Sequence, residues 1–86
     1  MCNSKFAIVV TGDKNDREKV LGVLVECSAN LVTGFRIYDR RIIFDFRYRG
    51  DASFVMKRMA RSLSTKLEGS TKLNYQNAKA EIIKNV

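Results

Sequence analysis

Between Leu31 and Tyr48 the chain alternates apolar and polar residues twice, with a break at Asp39-Arg40. Leu31, Thr33, Phe35 and Ile37 alternate with Val32, Gly34, Arg36 and Tyr38. Then Ile42, Phe44, Phe46 and Tyr48 alternate with Arg41, Ile43, Asp45, Arg47 and Arg49. A period of two is that of a strand with one buried face, so the pattern predicts a hairpin. A loop of two or four residues sets Ile37 opposite Ile42. One face then carries Phe35, Ile37, Ile42, Phe44, Phe46 and Tyr48. The other carries Arg36, Tyr38, Arg41, Ile43, Asp45, Arg47 and Arg49. A slip of one residue would mix the two sets, so the pattern itself selects this register.

The flanks have other periods. Phe6-Ala7-Ile8-Val9-Val10 is a β-branched apolar run stopped by Thr11-Gly12-Asp13, which suits a central strand. Val20, Leu21, Leu24, Cys27 (or Ser28) and Leu31 recur at helical intervals and predict a helix over 15–29, capped by Asp13 or Asn15. Val55, Met56, Met59, Ala60, Leu63 and Leu67 predict a second helix over 52–68, with Asp51 as its cap and Gly69 as its stop. Lys72 to Gln76 reads as an edge strand. The tail, 77–86, admits either a short helix capped by Asn77 or a strand through Ile82-Ile83. With 86 residues there is room for one domain, 1–86, and a small core. The order β-α-β-β-α-β implies an α+β, ferredoxin-like sandwich: a four-stranded antiparallel sheet with both helices on one face.

Val9-Val10-Thr11-Gly12-Asp13, Asp16-Arg17 and Ala29-Asn30-Leu31 carry a resemblance to the ACT domain that covers Phe6 to about Gly69. It implies the βαββαβ fold and a side-by-side homodimer. ACT domains that bind amino acids follow the Asp-Arg with Pro-Gly, where this chain has Glu18 and Lys19. A lysine does not allow the close backbone approach that a glycine does, so the resemblance does not imply an amino-acid site. Arg41 to Tyr48 is also similar to the third strand of the RNA-recognition motif in its basic start and aromatic interval, without that strand's glycines. Both families share one topology, so fold alone does not choose between them.

The charge is uneven. The net value is +7, of which residues 36–66 carry +6, while 1–35 are neutral. Arginine dominates this stretch, and its planar fork binds phosphate bidentately and stacks on bases. Arg36, Tyr38, Arg40, Arg41, Arg47, Arg49, Lys57, Arg58 and Arg61 are the candidate site. The hairpin's open face, with Tyr38 among the arginines, is the expected contact for RNA or single-stranded nucleic acid. An alternative is a protein inhibitor or adaptor that meets an acidic protein partner, of the phage host-takeover or toxin-neutralising kind. A third is an ACT-like sensor of a small ligand.

Enzyme chemistry has little to work with. No histidine is present, so the commonest general base and metal ligand are missing. Ser62, Ser64 and Ser70 have no base to activate them. Thr11-Gly12-Asp13 lacks the spacing of a phosphate loop and reads as a turn and cap. Asp39 reads as a turn residue and Asp45 as an ion-pair partner. The expectation is a non-enzymatic binding protein without metal or cofactor. Cys2 and Cys27 have no metal-ligand spacing and point to a reducing cytoplasm, the host's if the chain is phage-encoded. Cys27 is expected as a small buried apolar residue. No apolar run reaches the ~20 residues of a membrane span, and the start lacks a signal-peptide pattern.

Overall fold

The computed structural model describes residues 5–84. The readings of Cys2, of the signal-free start and of the last two residues of the tail fall outside this range. Along the chain run β1 (Phe6–Gly12), α1 (Lys14–Ser28), β2 (Val32–Ile37), β3 (Arg41–Phe46), α2 (Arg49–Ser62), β4 (Leu67–Glu68), β5 (Lys72–Tyr75) and β6 (Ala78–Lys84).

The α+β class and the two helices are present, but the four-stranded ferredoxin-like sheet is not. The sheet has six strands in the order β2-β3-β1-β6-β5-β4, and every pairing is antiparallel. The difference arises after α2. That helix ends at Ser62, six residues before the expected end at 68, and its cap is Tyr48, not Asp51. Leu67 and Glu68 leave the helical stripe to pair with Leu73 and Lys72. The supposed edge strand is thereby enclosed between β4 and β6. The tail is a strand at the middle of the sheet, where Ile8 faces Ile82 and Val10 faces Ala80. Asn77 caps no helix; it sits in the β5–β6 turn and donates its N–H to the Asp16 carboxylate at 3.0 Å.

One face of the sheet, Ile8, Val10, Ile42, Phe44, Phe46, Leu73, Ala78 and Ala80, packs under Val20 and Leu24 of α1 and Val55, Met56 and Met59 of α2. Alanines at 78 and 80 leave room for the helices where a larger residue would lift them. The hairpin register is the expected one, with Ile37 opposite Ile42 and Phe35 opposite Phe44, apart from an irregularity between Val32 and Gly34. Tyr38 donates to the Arg41 carbonyl at 2.8 Å, so the loop is the two residues Asp39-Arg40. Cys27 is half-buried against the core as a free thiol, and Ser28 takes the buried position beside it.

The residues behind the ACT resemblance hold one end of the molecule together. Arg17 donates to the Gly12 carbonyl at 2.8 Å and to the Asp39 carbonyl at 3.0 Å, which ties α1 to the hairpin loop. Removing both bonds in Arg17→Ala costs about 1 kcal/mol. The expected result is a melting temperature lower by about 4–8 °C, measured by thermal unfolding. Lys19→Ala, at an exposed position of the same helix, leaves the melting temperature in place.

Candidate nucleic-acid interface

β3 carries its flanking arginines to opposite ends of the sheet. From Arg41 to Arg47 is six strand steps, about 20 Å. The nine candidate residues therefore form no single patch. They fall into separate groups, each set by the local backbone.

The first group is the hairpin tip. Tyr38 and Arg41 are neighbours across the turn, and the Arg41 guanidinium lies 5.0 Å from the Tyr38 ring centroid. Arg40 stands exposed in the loop. Arg36 lies on the open sheet face, but it is engaged: its Nη2 donates to Asp45 Oδ1 at 2.9 Å. That hydrogen bond, and then the Asp45 charge, raise the Arg36 guanidinium above its ordinary value. On the open face Lys72 and Glu81 are similarly matched, 3.9 Å apart. Its middle is filled by Ala7, Val9 and Ile43. On the face expected to be the basic surface, Arg36 and Lys72 are thus engaged with acids, while Arg41 and Lys79 make no ion pair among the described residues.

The second group leaves the sheet altogether. Arg47 bends away after Phe46, Tyr48 becomes the cap of α2, and Arg49 is the first residue of the helix. Neither arginine shares a face with Arg36 and Arg41, contrary to the alternation. Tyr48, expected inward, is exposed. Lys5, Phe6, Arg47, Tyr48 and Arg49 line a shallow cavity of about 330 Å³ at this corner. The Arg47 guanidinium lies 6.0 Å from the Tyr48 ring.

The third group runs along the solvent side of α2. Lys57, Arg58 and Arg61 stand three, four and seven residues beyond Phe54, hence on one helical face. Phe54 is 49% exposed, and Arg58 lies over its ring at 5.5 Å. These side chains form one wall of a groove of about 710 Å³, with Glu26 and Cys27 of α1 opposite. From Arg47 to Arg61 the corner and helix span about 20 Å, and the strip of cations winds about 140° around the α2 axis between Arg49 and Phe54. Among the described residues Arg47, Arg49, Lys57, Arg58 and Arg61 make no ion pair.

Phe54, Tyr48 and Lys5 were absent from the expected site. Phe54 carried a readable signal: it is in phase with Lys57, Arg58 and Arg61 and out of phase with Val55, Met56 and Met59. Lys5 and Tyr48 carried none, because their place depends on where β3 stops. Among the described residues no group of His, Cys, Asp and Glu could hold a metal ion. No helix among them is long and apolar enough to cross a membrane. Comparison with protein-family models, curated proteins and solved structures finds no match, so the geometry alone carries the functional reading.

Proposed function

We propose that the protein binds single-stranded nucleic acid, RNA foremost, along the strip from the β3–α2 corner to Arg61. The observation that supports this is the pairing of exposed rings with arginines, Arg47 at Tyr48 and Arg58 at Phe54, beside cations without acidic partners. An exposed ring offers a stacking platform to an unpaired base, and the arginines supply phosphate contacts along the backbone. A duplex hides its base faces and gains nothing from the rings. The strip binds and holds; it presents no nucleophile with an activating base.

Affinity for a short single-stranded oligoribonucleotide falls with salt. If four of the five cations meet phosphates, the log–log slope is about −3, at about −0.7 per phosphate. Fluorescence anisotropy across a salt series measures it. A flat salt response, or equal affinity for a blunt duplex, would sink the reading. The protein-inhibitor alternative draws on the same cations. A complex with an acidic protein that survives nuclease treatment, with no affinity for the oligoribonucleotide, would select it.

A further inference from the structure

Val25, Phe35 and Ile37 are 54%, 63% and 61% exposed, although all three are large and apolar. They are not scattered. With Leu21, Val32 and Phe44 they line an apolar groove of about 370 Å³ between α1 and β2. β2 is also one of the two outer strands of the sheet. Hydrogen bonding alternates along an antiparallel pair. Since Tyr38 bonds to Arg41, Arg36 also turns its backbone towards β3, while Phe35 and Ile37 turn theirs outward. Open backbone groups and exposed apolar side chains thus coincide on the same residues, the combination that natural edge strands usually avoid.

We propose that a second copy of this chain covers this flank, β2 against β2, joining two six-stranded sheets into one. Three observations favour a copy over another occupant. An antiparallel edge is its own complement under a two-fold axis, so one exposed strand satisfies both sides at once. The flank is also free of the charge that would keep copies apart. Residues 1–35 are neutral, and Arg36 is bonded to Asp45. The excess positive charge lies on the hairpin tip, the corner and α2. Finally, one register suits both backbone and side chains. With Phe35 opposite the partner's Phe35, outward-facing backbone groups meet, and each Arg36 faces the partner's Gly34 instead of a like charge.

The geometry has a functional consequence. Antiparallel strands of one sheet are related by an axis normal to it, so both helix layers lie on the same side. The two α2 strips then face the same way, and one nucleic-acid strand long enough to reach both is held at two points. The dimer itself does not depend on that reading.

Sedimentation of the nuclease-treated protein in high salt, without nucleic acid, tests it. The expected mass is about twice the 9.8 kDa of one chain. Ile37→Lys and Val25→Asp, on different elements and both exposed, each halve that mass. A monomeric wild type at high micromolar concentration overturns the proposal, and so does a dimer that survives both substitutions in folded protein. Amide exchange on the wild type gives a reading that needs no variant: the amides of Phe35 and Ile37 are slowed in the dimer. Free exchange at those two amides in a dimeric sample places the interface elsewhere and also overturns the proposal.

Discussion

Gly12→Ala lowers the melting temperature by about 15–30 °C, the largest loss expected of alanine at any of the five glycines. Gly12 ends β1 with φ +119°, a conformation that side chains rarely adopt. A Cβ there would stand 2.3 Å from the Asn77 carbonyl oxygen and 2.5 Å from the Ala78 Cα. Both are backbone atoms, one in the β5–β6 turn and one in β6, so neither can swing aside. Backbone strain of about 1–3 kcal/mol adds to overpacking of about 1–3 kcal/mol. Together they approach the whole stability of a small domain, about 5 kcal/mol at the low end. The same backbone also holds α1 and the hairpin loop together at this end of the sheet. Asp13 donates its N–H to the same Asn77 carbonyl, and Arg17 reaches from Gly12 to the hairpin loop. Gly22→Ala provides the control, because nothing lies within 4 Å of a Cβ at that helical position. It leaves the melting temperature unchanged or raises it, since alanine is the better helix former. Equal melting temperatures for Gly12→Ala and the parent would show that β1 and the β5–β6 turn are not packed as described.

The part of the fold that was legible is the part with a strong period. Alternation from Leu31 to Phe46 specified both strands and the pairing of Ile37 with Ile42, and left the loop at two or four residues. The apolar run at 6–10 and the helical spacing of Val20 and Leu24 were equally plain. The last third of the chain has no such signal. Leu67 continues the helical stripe of Leu63 and also suits a strand, and a strand of two residues has no period to detect. β6 buries Ala78 and Ala80, and alanine contrasts too weakly with its neighbours to mark a face. The alternation also misled at its end. Arg47, Tyr48 and Arg49 keep the rhythm of β3, but the chain turns into α2 there. Tyr48 makes no side-chain cap bond, so no capping residue announced the helix start. For that reason Arg47 and Arg49 read as part of the hairpin face, whereas the chain carries them to the corner and the first turn of α2.

Phe54→Ala weakens binding of a single-stranded oligoribonucleotide without unfolding the protein, and this effect is the sharpest test of where the site lies. A base stacked on an aromatic ring contributes about 1–3 kcal/mol by alanine substitution, or roughly 5- to 150-fold in affinity. The ring is half-exposed and outside the core, so stability changes by no more than about 0.5 kcal/mol. The double substitution Arg58→Glu, Arg61→Glu removes two cations and adds two anions on the same face. It makes the salt slope shallower by about 1.4, at about 0.7 for each phosphate no longer neutralised, and the affinity falls by about 100-fold or more at low salt. Lys79→Glu reverses a charge on the opposite face, where Lys79 pairs across from Thr11 in the open layer of the sheet. It carries the same change in net charge per residue, so it separates a located site from general attraction. A helix-side strip predicts a large loss at Phe54, Arg58 and Arg61 and a small one at Lys79. The reverse ranking would return the site to the open sheet face. Equal losses per unit of charge, with none at Phe54, would mean that the basic surface attracts polyanions without stacking any base.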